Sequence, residues 1–106
     1  MQIHKPAAIR RAQILNAAVK LAVKHGYANV TRDMVAAECK ISGGLLYRYF
    51  STMTQLKRDV IRHAAANAKE GGERALLVVL AQGLAMKDKH ALKAPELVRK
   101  AAAATL

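Results

Sequence analysis

Residues 31–50 read TRDMVAAECKISGGLLYRYF, and the fold turns on this passage. Thr31 is an N-cap residue type, and Asp33 follows in the first turn, where a carboxylate meets the positive end of a helix dipole. A helix of about two turns through Met34, Val35, Ala37, Glu38 and Cys39 is expected. After Lys40-Ile41, Ser42 can cap another short helix, Gly43 to Phe50, with Leu46, Phe50 and Tyr49 on its buried side. Two short helices joined by a turn of this length form a helix-turn-helix.

The flanks supply a framework. Upstream, Pro6 suits a first helical turn, and Ile9, Ile14, Leu15, Ala18, Leu21 and Ala22 recur at helical spacing until Gly26. Gly26 sits where a helix C-terminus needs positive φ, and Tyr27 is expected to fold back as its hydrophobic partner. Downstream, Thr52 opens a helix through Leu56, Val60 and Ile61 to about Ala68. The Gly71-Gly72 pair then reads as a hinge, giving expected units 1–68 and 69–106. Beyond it, Arg74 to about Lys87 is apolar nearly all round and must be buried by something. Asp88-Lys89-His90 separates it from a last helix near Pro95 to Ala104. The expectation is an all-α chain: a helical bundle with a short two-helix C-terminal extension.

Composition agrees. Of 106 residues, 22 are Ala and only 4 are aromatic, with no alternating β-branched runs, which disfavours sheet. The 18 Lys and Arg against 7 Asp and Glu give a formal charge of +11, which fits a polyanionic partner, nucleic acid before an anionic membrane surface or an acidic protein. Residues 1–63 hold 11 of the cations and 3 of the acids. His4, Lys5, Arg10, Arg11, Arg32, Arg48, Lys57 and Arg58 lie at helix starts and in the second helix of the motif, where phosphate contacts would release condensed counterions. No secretory signal opens the chain and no apolar run reaches the ~18–20 residues that span a bilayer. One cysteine, Cys39, excludes an intramolecular disulfide, and with the scattered His4, His25, His63 and His90 it assembles no zinc ligand set, so a reducing cytoplasm and no membrane association are expected. An enzyme is not expected: there is no phosphate-cradling loop with its Lys, no paired-carboxylate cleft and no base beside Cys39, which reads as a small core residue. Neither a metal nor a cofactor is expected.

From Arg11 to about Ile61 the residues resemble the N-terminal DNA-binding region of the tetracycline-repressor (TetR) family, a homeodomain-like helix-turn-helix. The resemblance is carried by Ile14-Leu15-x-Ala17-Ala18-x-x-Leu21, Gly26-Tyr27, Thr31, Val35-Ala36, Leu56 and above all Ile41-Ser42-x-Gly44-x-Leu46-Tyr47-x-Tyr49-Phe50. It implies that the helix from Gly43 enters the major groove and that Thr31, Tyr47 and Arg48 touch phosphates. Gly43 and Gly44 would let the helix backbone approach closely, and a Tyr hydroxyl and an Arg fork are suitable phosphate donors. Base edges would be met by Leu45, against a thymine methyl, and by Arg32, Ser42 or Arg48. Lys5, Arg10 and Lys57 would meet phosphates, and the basic arm before Arg10 would add phosphate or minor-groove contacts. The chain departs from the family pattern at Lys40, usually Gly, at Gly43, frequently Lys, and at Leu45, often polar.

The C-terminal part departs most. Members of the family carry a long helical domain with an effector pocket, whereas two helices cannot enclose a drug-sized ligand, so a small-molecule effector is not expected. Leu76, Leu77, Leu80 and Leu84 are instead expected to form a two-fold homodimer interface, unless these helices fold back to complete a monomeric core. The functional expectation is a sequence-specific double-stranded-DNA-binding transcriptional regulator, most simply a homodimeric repressor. The alternative is a DNA-architectural or protein-binding inhibitor module on the same fold.

Overall fold

Local signals determine most of the helix boundaries. The structure, a computed structural model describing residues 6–106, begins with α1, Ala7–His25, directly after Pro6. Its buried stripe is Ile14, Leu15, Ala18, Val19, Leu21 and Ala22. Gly26 ends it at φ +92°, with its N–H on the Ala22 carbonyl. A 3-10 turn, Tyr27–Asn29, comes next and has no counterpart in the sequence expectation. Helix α2, Arg32–Cys39, is capped by the Thr31 hydroxyl, which accepts from the Met34 N–H at 3.3 Å. Helix α3, Gly43–Tyr49, is capped by Ser42, which accepts from the Leu45 N–H at 3.0 Å. Helix α4, Met53–Asn67, is capped by Thr52, accepting from Gln55 at 3.0 Å. Each such cap contributes about 1 kcal/mol, which matters most for α2 and α3, far below the ~12–15 residues at which an isolated helix becomes marginal.

The α2–α3 turn explains how Lys40 replaces the usual glycine. Lys40 adopts the left-handed conformation itself, at φ 56° and ψ 45°. Its N–H bonds the Ala37 carbonyl at 3.2 Å, and the Ile41 N–H bonds Ala36 at 3.0 Å, the two bonds of a Schellman closure. The backbone is therefore that of the glycine version. Only the residue type departs from the pattern.

Helix α5, Arg74–Ala85, resolves the apolar run. It packs against α1 and α4 and against two further helices, α6 (Lys89–Leu92) and α7 (Glu96–Ala103). The C-terminal part thus has three helices rather than two. Asp88, placed in a polar separator by sequence, caps α6 by accepting from the His90 and Ala91 N–H groups. One cluster of buried side chains runs from Ile14 through Ile61 to Leu80 and Ala102, so the turn at Gly71-Gly72 joins helices that share a core.

This packing changes the role of the leucines expected at a dimer interface. Leu76, Leu77 and Leu80 are 8%, 7% and 0% exposed within the single chain, and Leu84 is half-buried against the same core. The intrachain neighbours account for the apolar character of α5. The apolar side chains left outside in this part are Met86, Leu92, Leu97 and Leu106.

At Gly83, α5 lies close against α4 and α6. A Cβ there would lie 2.9 Å from Ile61 Cδ1 and 3.0 Å from Ala91 Cβ. Gly83→Val is therefore expected to destabilise the fold by about 1–3 kcal/mol through overpacking, read as a lower urea midpoint with unchanged slope. Lys40→Gly has the opposite expected sign. It removes a side chain from a left-handed position and is expected to raise stability by up to about 1 kcal/mol, measured by the same titration.

Candidate nucleic-acid interface

Helix α3 is held from beneath and bare above. Leu46 and Phe50 are 1% exposed each, and full burial of such side chains contributes about 1.5–3 kcal/mol apiece. On the outer side Tyr47 is 51% exposed, and Arg48 is exposed beside it. A Cβ on Gly43 would meet nothing within 4 Å, and one on Gly44 only the Ser42 hydroxyl at 3.9 Å. The fold itself does not require glycine at either position. Their effect is outward: the first two positions of α3 present backbone without side chains.

Around this helix the basic residues are fixed by specific contacts. The Arg32 guanidinium lies 4.9 Å from the centroid of the Tyr47 ring, a cation–π distance that couples the start of α2 to α3. Lys57, from α4, donates to the Ala28 carbonyl at 3.3 Å and lies 5.8 Å from the Tyr27 ring centroid. Burial, reinforced by the Asp88 carboxylate, pushes the Tyr27 phenol up to about 12, so it stays neutral. Arg10 lies at the other end of α2, lining a cleft of about 370 Å³ with Gln13, Lys20, Glu38 and Cys39. Cations thus stand beside both ends of α2.

The structure brings together Thr31, Arg32, Ser42, Gly43, Gly44, Leu45, Tyr47 and Arg48 on α2, its cap and α3, with Lys57 beside the turn that leads into α2. Thr31 and Ser42 spend an oxygen lone pair on their caps but keep a hydroxyl proton to donate. Leu45 is half-buried, so only part of its side chain faces outward. Lys5 lies outside the described residues.

Two of the cations grouped by sequence pair with an acid inside the molecule. Asp59, 8% exposed, accepts from Arg11 Nη2 at 2.8 Å, with Arg58 Nε at 3.5 Å and Arg62 Nη1 at 3.9 Å. Arg11 also lies 4.9 Å from the Phe50 ring centroid. It joins α1 to α4 and to the end of α3 rather than standing free for phosphate. A lone acid among Arg58, Arg62 and apolar residues was the available signal. A second residue that sequence reasoning missed, Gln82, bonds the end of α1 from within the apolar α5.

Other chemistry is sparse. The Cys39 thiol is pushed up by burial and by Glu38, with Arg10 opposing, which keeps it protonated. Among the described residues no group of three or more His, Cys, Asp or Glu is placed to hold a metal ion. Among the same residues no helix is long and apolar enough to cross a membrane.

Comparison with known proteins gives the same assignment for this part of the chain. Residues 14–60 match the family model described as bacterial regulatory proteins, tetR family. A stretch of 41 residues is 49% identical to the HTH-type transcriptional regulator HbdR of Aromatoleum sp. (strain CIB), covering 39% of this chain and 18% of that protein. No solved structure matches the chain. Residues 14–60, from the buried stripe of α1 to the middle of α4, are thus similar to the helix-turn-helix domain of the tetR family.

Proposed function

We propose that the protein is a transcriptional regulator that binds double-stranded DNA through α3, acts in the cytoplasm by occupying its site rather than by catalysis, and represses the gene it covers. The observation that carries this reading is the outer face of α3: Tyr47 and Arg48 exposed, Gly43 and Gly44 bare, and Leu46 and Phe50 locking the helix from beneath. A helix seated in a major groove needs a close backbone approach, and phosphate-directed donors beside it fix its register. Arg32 and Lys57 are positioned for the phosphates on one side and Arg10 on the other. The matched domain and the relative's printed name support the same reading.

A seven-residue reading helix offers few base contacts, which supports binding as a two-fold pair. With Leu76, Leu77 and Leu80 committed to the core, pairing draws on the apolar side chains that remain outside, Leu92, Leu97 and Leu106 among them.

Selection of bound sites from a random duplex pool at physiological salt tests the proposal. The expected result is an enriched two-fold-symmetric motif whose half-sites are roughly one helical turn, ~34 Å, or a multiple of it apart. Under the same conditions Tyr47→Phe weakens all selected sequences alike, whereas Arg48→Ala also relaxes the preference at its base if the guanidinium reads an edge, at about 1–3 kcal/mol. Salt-sensitive binding without any enriched motif would overturn the sequence-specific reading.

A further inference from the structure

Gln82 is a polar residue inside the most apolar helix of the chain, and both ends of its amide are occupied. Its Oε1 accepts from the Tyr27 N–H at 2.6 Å, and its Nε2 donates to the Ala22 carbonyl at 3.2 Å. These two groups lie on opposite sides of the break at Gly26. The α1 ladder closes with the Gly26 N–H on Ala22 at 2.9 Å, and because Gly26 then leaves helical geometry, the next N–H, that of Tyr27, has no helical acceptor. Gln82 supplies one from 55 residues away.

The segment after Tyr27 sets the interface. The turn Tyr27–Asn29 leads through buried Val30 to Thr31, the cap of α2. Lys57 is held against this turn twice, by its bond to the Ala28 carbonyl and by the face of the Tyr27 ring. A shift of the turn therefore moves Lys57 and the start of α2 together.

We propose that Gln82 is a positioning residue for DNA binding: by clamping the Tyr27 N–H and the Ala22 carbonyl it fixes the turn that places Lys57, so that the α5 helix sets DNA affinity without touching DNA. The inference rests on the DNA-binding reading above. It assigns to the C-terminal part a task beyond completing the core. The route runs from α5 through one side-chain amide to the turn, and from the turn to a phosphate-directed cation.

The test is a double-mutant cycle on the full chain, with affinity for a duplex followed by fluorescence anisotropy across a salt series. Gln82→Met keeps the volume and removes both hydrogen bonds, and Lys57→Ala removes the cation. Lys57→Ala is expected to lower the slope of log affinity against log salt by about one unit. Gln82→Met is expected to weaken binding roughly three- to tenfold, to lower the same slope, and to have little further effect in the Lys57→Ala background. Circular dichroism of Gln82→Met is expected to match that of the parent. Additive losses, or a loss with the salt slope unchanged, would mean that Gln82 acts only on general stability and would overturn the proposal. So would unchanged affinity in Gln82→Met beside weakened Lys57→Ala. If Lys57→Ala binds as the parent does, the route through Lys57 is wrong although DNA binding stands. If the parent shows no salt-dependent binding, the underlying reading fails and the proposal with it.

Discussion

Burial of α5 against α1 and α4 is the constraint on which the other helices depend. Helices α2 and α3 are eight and seven residues long and cannot persist alone. They are held because Val35, Ala36, Leu46 and Phe50 enter a core whose walls are α1 and α4. Those two helices are in turn covered by Leu76, Leu77, Val79 and Leu80 of α5, with α6 and α7 closing around it. At Gly83 the packing leaves no room for a side chain, which would collide with Ile61 and Ala91. Stability at the distant C-terminal helices is therefore felt at the exposed face of α3.

Charge follows a complementary division. Asp59, buried on α4, gathers Arg11, Arg58 and Arg62, and so ties α1 to α4 with groups that a count of cations assigns to the outside. Arg32 and Lys57 are held by aromatic faces and a carbonyl, and among the described residues neither pairs with an acid. In a chain of +11 this distinction decides which cations face outward with charge to offer. Partly exposed ion pairs contribute little to stability by themselves. Their larger effect here is to remove some cations from the interface and leave others.

Much of the first four helices was legible in the sequence because their determinants are local. Thr31, Ser42 and Thr52 cap the helices they precede, Gly26 ends α1, and Leu46 and Phe50 face inward as their spacing requires. The features beyond reach depend on pairing across the chain. Periodicity demands that α5 be buried but cannot distinguish a second copy from α1 and α4, which is why Leu76, Leu77 and Leu80 read as an interface and are found in the core. Helix α6 spans four residues, too few to show a period. Lys40 departs from the glycine pattern in residue type while keeping the left-handed backbone, which only coordinates reveal. Gln82 and Asp59 act through partners 55 and 48 residues away. The one local sign is polarity in an apolar run for Gln82 and a lone acid among arginines for Asp59.

Everything proposed for this chain requires that the bare outer face of α3 be the surface that meets duplex DNA. Amide-resolved NMR of the isotope-labelled full chain, titrated with a short duplex near physiological salt, examines that requirement residue by residue. The largest shifts are expected on Gly43, Gly44, Leu45, Tyr47 and Arg48 and on the Thr31-Arg32 cap, with the buried α5 residues Val79 and Leu80 little changed. Shifts concentrated on α6 and α7, with α3 silent, would show that DNA is met elsewhere.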